Sequence, residues 1–204
     1  AEIVSRESHA MNAKHWQALA LELDHWSESG RTIGLWLRDD DAVAPSPALD
    51  RLSDLAERFT APVLLAVIPL LAEPALATAL RGMPLLRPCQ HGAVHQNHAP
   101  AGSKKSEFGA ERAAADVDSD IARGRQRLHD LLGDTTLPIF VPPWNRVAQG
   151  HAARLGALGF VGLSCFRGYR LGAEGGPRLL NTHVDIMDWH GGRIGRPAPD
   201  ILGE

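Results

Sequence analysis

The sequence has few cysteines, little excess charge of either sign and no apolar run long enough to span a bilayer. Its two cysteines, Cys89 and Cys165, do not make the disulfide framework that holds many small secreted domains. The longest apolar run, residues 61–72, is shorter than the roughly 20 residues of a membrane helix and contains two prolines. No membrane span is predicted.

The charge balance argues against a nucleic-acid partner. The chain has 21 Lys and Arg against 24 Asp and Glu, a net charge of −3, whereas phosphate binding favours an excess of cations. Residues 1–30 show no basic start followed by an apolar stretch, which favours a cytoplasmic protein, or a secreted or periplasmic one if a signal was removed. The length and composition predict a single domain over residues 1–204 and do not indicate an oligomeric state.

Apolar runs and helical patterns alternate along the chain. Predicted strands cover residues 32–37, 63–68, 85–90, 138–141, 160–165 and 178–185. Predicted helices begin at Pro47 after Ser46, cover residues 74–80 and 117–131, and cover residues 147–158 with Asn145 as the N-cap. This alternation predicts an α/β fold with a parallel sheet or barrel.

Polar clusters follow the predicted strands. They comprise residues 39–41, 91–98, 144–146 and 183–188. In α/β barrels the carboxyl ends of the strands form the active-site face, so we expect these clusters to meet at one mouth.

Three histidines, His91, His95 and His98, lie within eight residues. With 10 histidines in 204 residues, chance alone gives about 0.5 His-x-x-x-His pairs. The spacing by itself is therefore weak evidence for a metal site, and the upstream aspartates strengthen it. On a helical turn His91 and His95 would share one face and could bind one ion. His98 is a third ligand, a substrate contact or a loop histidine, and ordinary hydrogen-bonded histidines remain the alternative.

Successive side chains of an extended chain point to opposite faces, so Asp39 and Asp40 are expected to divide two roles. One would bind the metal and the other would act as general base. A turn or helix-capping cluster is the alternative for these aspartates. Trp144 after two prolines either stacks on a sugar at the mouth or fills the core.

Four stretches taken in order resemble a known family. Asp39-Asp40, His91-x-x-x-His95, Pro142-Pro143-Trp144 and Asp188-Trp189 are similar to successive motifs of the polysaccharide deacetylases, carbohydrate esterase family 4, and span about residues 32–190. The resemblance implies a distorted (β/α) barrel that uses a divalent metal, usually zinc, to remove N- or O-linked acetyl groups from a carbohydrate. Such an enzyme cleaves amide C–N bonds other than peptide bonds.

The resemblance also implies roles for individual residues. Asp39 would be the general base, and Asp40, His91 and His95 would bind the metal. The residues expected to contact the carbohydrate or other small acylated substrate are His98, Trp144, Asn145 and Asp188.

Several positions depart from the family pattern. Asp41 stands where the family has Gly, and Val141 stands near the Arg that pairs with the catalytic aspartate, a guanidinium that Arg38 or Arg146 could replace. The last motif, a Leu-x-His that supplies the general acid, is not found, and the barrel lacks closing C-terminal elements. Either a segment is missing or another histidine serves. The candidates are His98, His183 and His190.

Two other functions fit the same pattern. A catalytically silent carbohydrate-binding relative would retain the mouth without the acid. A hydrolase of non-sugar amides would retain the fold with altered loops, since a fold does not determine the substrate.

Overall fold

The computed structural model describes residues 16–172, 176–189, 191–192 and 194–203. The chain divides into two compact units, one of residues 36–182 and the other of residues 1–35 and 183–204. The single domain expected over residues 1–204 stays a prediction.

The larger unit is built on a six-stranded sheet. Its strands are β1 (Leu37–Ala42), β2 (Val63–Val67), β3 (Leu86–His91), β4 (Leu137–Val141), β5 (Gly162–Leu163) and β6 (Arg178–Leu179). They lie side by side in chain order, and every neighbouring pair is parallel. Among the described residues the sheet is not closed. The predicted distorted α/β barrel is confirmed.

The helices of the described residues are α1 (16–28), α2 (Pro47–Phe59), α3 (Pro74–Leu80), α4 (Ala114–Leu132), α5 (Gln149–Arg154) and α6 (Ala198–Leu202). Helices α2 to α5 each connect two successive strands from β1 to β5, as the alternation predicts. The smaller unit contains α1, α6 and the antiparallel strands β7 (Met187–Asp188) and β8 (Ile194–Gly195). None of the helices in the described ranges is long and apolar enough to cross a membrane.

Helix α2 illustrates how the sequence sets a boundary. The Ser46 hydroxyl accepts the backbone N–H of Leu49 at 3.1 Å, and Pro47 occupies the first turn, where it has no N–H to leave unpaired. The helix ends at Thr60, whose φ of 51° lies in the left-handed region typical of helix C-termini.

The strands pack on both faces because their side chains alternate. On β2, Val63, Leu65 and Val67 belong to a cluster with helix residues such as Leu76 and Leu128. The alternate residues of β2 face the opposite side, in a second cluster. That cluster contains Leu64, Ala66, Cys89 and Val141. This second face is the interior of the incomplete barrel.

Several predicted boundaries are wrong. The first strand begins at Leu37 instead of ending there, so Asp39, Asp40 and Asp41 lie within β1. Helix α5 is shorter than predicted and has Ala148 at its N-cap, so Asn145 does not cap it. Strands β5 and β6 have two residues each.

Candidate metal centre at the carboxyl ends of the strands

Asp41, His91 and His95 converge at the carboxyl ends of β1 and β3. Asp41 Oδ1 lies 3.0 Å from His91 Nε2 and 3.3 Å from His95 Nε2. One ligand atom from each residue lies within 4.8 Å of those of the other two. One carboxylate oxygen and two imidazole nitrogens are a donor set that suits zinc and similar divalent ions.

The backbone of β1 explains why Asp41 reaches the histidines. The register of β1 against β2 shifts between Asp39 and Ala42, and Asp41 has a φ of 71°. This local irregularity breaks the regular alternation of side chains and turns Asp41 toward the histidines. The hydrogen bond from His91 lowers the pKa of the Asp41 carboxyl below its ordinary 3.8, more than burial raises it.

The two histidines do not share a helical turn, contrary to expectation. His91 is the last residue of β3 and is 1 % exposed, whereas His95 lies beyond a bend and has a φ of 58°. The Nδ1 of His91 lies 3.0 Å from the carbonyl oxygen of Val141. With an ion bound, Nδ1 would donate its proton to that carbonyl and Nε2 would offer its lone pair to the ion instead of donating to Asp41, the arrangement typical of a metal-ligating histidine.

Asp40, which the family resemblance predicts as a metal ligand beside the histidines, is instead paired with Arg38. Arg38 Nη2 donates to Asp40 Oδ2 at 3.0 Å, and Arg38 Nε lies 2.9 Å from Asp40 Oδ1 without the alignment of a hydrogen bond. The two residues are two apart on β1, so they face the same side of the strand. Asp41 therefore replaces Asp40 in the histidine group.

Arg38 ties this strand to the opposite part of the sheet. Its side chain is 6 % exposed and donates to Asn145 Oδ1 at 2.7 Å and to Ser164 Oγ at 2.9 Å. Of the two arginines proposed to replace the family's guanidinium, Arg38 reaches an aspartate of β1. Arg146 is exposed and donates to the carbonyl oxygen of Lys105 at 3.0 Å.

Asp39 lies on the same strand, where part of its surface is open to solvent and part is covered by the surrounding protein. Desolvation by the surrounding protein, together with the negative charges of Asp40 and Asp41, raises its pKa from 3.8 to about 6. It is not part of the group formed by Asp41 and the histidines. Its predicted role as general base stays a prediction.

Backbone strain is concentrated around this group. Five described residues other than glycine have a positive φ, and one of them, Thr60, ends α2. The other four lie at or just beyond the carboxyl ends of β1, β3 and β4. They are Asp41, His95, Trp144 and Asn145. Residues held in such conformations cost free energy and cluster at functional sites.

Trp144 packs on a histidine of this group, whereas His98 is not part of the group. The Trp144 ring is half-buried and packs on the His95 ring with centroids 4.3 Å apart. The backbone N–H of His98 donates to the carbonyl oxygen of Ser106 at 2.9 Å, its side chain is exposed, and it is outside the ligand group. The predicted substrate contacts of both residues and of Asn145 stay predictions.

The other predicted site residues lie in the smaller unit or outside the described ranges. Asp188 ends β7 and accepts the backbone N–H of Gly191 at 2.7 Å, while His183 is exposed. His190 lies outside the described residues.

Glu107 is a buried residue of the site that the sequence does not indicate. Residues 104–107 carry no periodicity that marks a buried side chain, yet Glu107 is 1 % exposed and accepts backbone N–H groups from the bend between His91 and His95. No sequence signal identifies this contact, because it joins residues 13 and 14 positions apart through a loop.

The chain matches no protein-family profile and no curated protein sequence. Solved structures do resemble it. IcaB from Ammonifex degensii has a TM-score of 0.56 at 18 % identity, over 74 % of this chain and 70 % of that one. A family 4 carbohydrate esterase from Streptomyces lividans, in complex with acetate, has a TM-score of 0.51 at 18 % identity, over 65 % of this chain and 62 % of the esterase.

A protein from Mycobacterium smegmatis assigned as a polysaccharide deacetylase is also similar, but the match covers a smaller share of that protein's length. It has a TM-score of 0.51 at 16 % identity and covers 66 % of this chain, which spans 45 % of that protein. At these identities the likeness shows the fold. It confirms the deacetylase-type α/β barrel that the motif resemblance implies.

Proposed function

We propose that this chain, which has the fold of the polysaccharide deacetylases, is a divalent-metal-dependent hydrolase that removes acetyl groups from a carbohydrate. The observation that carries the proposal is the convergence of Asp41 Oδ1 with the Nε2 atoms of His91 and His95. The solved structures it resembles include a carbohydrate esterase in complex with acetate, which is consistent with release of an acetyl group.

Two of the three separations between the donor atoms are those expected around a zinc ion. Ligands about 2.0 to 2.1 Å from a tetrahedral ion are about 3.3 Å from one another, and the two Asp41 to histidine distances are 3.0 and 3.3 Å. Three protein ligands leave a position open, which is typical of a catalytic site. A bound ion would supply a Lewis acid that polarises the acyl carbonyl and makes water more nucleophilic near neutral pH.

The family resemblance assigns the base and the metal ligand to Asp39 and Asp40, whereas the position of Asp41 shifts this pair by one residue, to Asp40 and Asp41. If Asp41 is the ligand, the preceding residue, Asp40, takes the place of the general base. Asp40 is paired with Arg38, whose guanidinium orients the carboxylate and replaces the family's paired arginine. In this scheme Asp40 accepts the proton of the attacking water at a carboxylate oxygen.

The loop after β4 supplies a wall for the substrate. Trp144 is packed on His95 and remains half-exposed, so its free surface can stack on a sugar ring beside the metal ligands. Asn145 is held by Arg38, which links this wall to the base. His98 and Asp188 remain proposed substrate contacts.

The decisive assay is acetate release from acetylated glucosamine oligomers by the purified chain. We expect release to stop after chelation and to return with zinc. The double variant His91→Ala, His95→Ala should be inactive, while His129→Ala, which changes an exposed histidine on α4, should match the wild type. Oligomer binding without release would instead favour a silent carbohydrate-binding protein, and release from non-sugar amides alone would favour an amide hydrolase of other substrates.

A further inference from the structure

Glu107 is a buried carboxylate whose two oxygens both bind the bend between the histidines. It lies ahead of α4 and is 1 % exposed. Its Oε2 accepts the backbone N–H of Ala93 at 3.2 Å, and its Oε1 accepts that of Val94 at 2.9 Å. Ala93 and Val94 are the two residues immediately before His95.

Burying a carboxylate is costly unless its oxygens are hydrogen-bonded, and charge-assisted bonds to backbone N–H groups are among the strong ones. A glutamine at position 107 has one acceptor oxygen and one NH₂ group, so it cannot accept both N–H groups with its two terminal atoms. The carboxylate is therefore matched to this pair of amides in a way that no neutral isostere reproduces.

The remainder of the bend is built to admit the carboxylate. Gly92 has a φ of 60°, and a Cβ at this position would overlap Glu107 Oε2 and the Pro143 ring. The N–H of Gly92 donates to the carbonyl oxygen of Val141 at 3.0 Å, and its own carbonyl accepts Gln90 Nε2 at 2.9 Å. The bend is thus anchored on β4 and β3, and Glu107 holds its far half.

The segment that carries Glu107 is itself fixed. Arg112 Nη1 donates to the carbonyl oxygen of Glu107 at 3.2 Å, while Arg112 Nη2 donates to Asp120 on α4 at 2.7 Å. The next residue, Phe108, is fully buried, and its carbonyl oxygen accepts the N–H of Ala148 at 2.9 Å. The carboxylate is consequently a rigid support rather than a mobile surface group.

We propose that Glu107 is a positioning residue that holds the bend so that the Nε2 atoms of His91 and His95 meet at Asp41. It acts through the amides of Ala93 and Val94 and contacts neither the substrate nor the ion. The inference rests on the proposed metal-dependent function. Loss of a partner that orients metal ligands typically lowers metal affinity by about 10- to 100-fold.

The test compares Glu107→Gln with Glu111→Gln, which makes the same change at an exposed position four residues along. Co²⁺ is titrated into each metal-free protein and followed by its visible absorption, at a temperature where circular dichroism shows all proteins folded. We expect about 10- to 100-fold weaker binding by Glu107→Gln alone. Amide hydrogen exchange of the metal-free proteins should accelerate at Ala93 and Val94 and remain unchanged on β2.

A second variant covers the case in which Glu107→Gln does not fold. Glu107→Asp shortens the side chain by one methylene, so it retains the charge but cannot reach both amides, and we expect weaker Co²⁺ binding and faster exchange at Val94. Failure of the wild type to bind Co²⁺ would overturn the metal-dependent function itself. Wild-type binding together with equally tight binding by both Glu107 variants would overturn only the role of Glu107.

Discussion

Arg38 and Asp40 form an ion pair within one strand, with Nε 2.9 Å from Oδ1 and Nη2 donating to Oδ2 at 3.0 Å. The three consecutive aspartates therefore have different partners. Asp40 is paired with the Arg38 guanidinium, Asp41 contacts the two histidines, and Asp39 is not part of the histidine group.

Replacing Arg38 by Met should destabilise the protein. The change leaves the partly buried Asp40 carboxylate and the Ser164 hydroxyl without their partner, so we expect a loss of about 2–3 kcal/mol in the free energy of unfolding. Urea denaturation measures it. Arg146→Met is the matched control, because Arg146 is exposed, and should cost about 0.5 kcal/mol or less. Equal losses in the two variants would contradict this.

Asparagine variants of Asp39 and Asp40 distinguish the two candidate bases. A general base contributes about 10²- to 10⁴-fold to the rate, so Asp40→Asn should lower kcat by that factor while the metal content is unchanged. Asp39→Asn should have the smaller effect of the two. The kcat values for acetate release and the metal content by elemental analysis decide it. A larger loss for Asp39→Asn would return the role to the residue that the sequence first indicated.

Two carboxylates should give opposite pH signatures in the stability of the metal-free protein. The pKa of Asp39 is raised to about 6, so its ionisation destabilises the fold as pH rises from 3.8 through 6. Asp39→Asn should therefore raise the Tm relative to wild type at neutral pH, and the gain should vanish near pH 3.8.

Arg154 lowers the pKa of Asp118 by hydrogen bonding, so Asp118→Asn should lower the Tm at neutral pH and cost less as the medium becomes acidic.

Thermal unfolding at a series of pH values tests both signs at once. A gain for Asp39→Asn that grows toward acid, or a loss for Asp118→Asn that does so, would show that the pKa of that carboxyl is shifted in the opposite direction.

Neither cysteine should react with a thiol reagent in the folded protein. Burial raises the pKa of the Cys89 thiol, with a further rise from Asp40, and it raises the pKa of Cys165 to about 12. Both side chains are fully buried. Titration with Ellman's reagent should find no reactive thiol in buffer and two in guanidinium chloride. Rapid reaction of either thiol in buffer would contradict the burial of that side chain.

The fold could be predicted to a large extent because its signals are local. Ser46 and Pro47 mark the start of α2, and the apolar spacing of α4 marks its inner face. The weak parts are short strands such as β5, whose two residues are set by pairing with neighbours rather than by their own pattern.

The site could be predicted only in part. The histidines stand out by residue type, but the choice between Asp40 and Asp41 depends on a register shift and a φ of 71° that three identical residues do not reveal. His95 likewise reaches the group through a bend with a φ of 58° rather than a helical turn. Glu107 was missed because its partners are backbone amides, which carry no side-chain signature in the sequence.

The most direct test of Asp41 as the metal ligand is the zinc content of Asp41→Ala and Asp40→Asn. Both variants are purified in parallel with the wild type, equilibrated with zinc and measured by elemental analysis. The account predicts one equivalent of zinc in the wild type and in Asp40→Asn, and much less in Asp41→Ala, because Asp41 is the carboxylate that meets His91 and His95. Full zinc in Asp41→Ala, with zinc lost from Asp40→Asn, would contradict it.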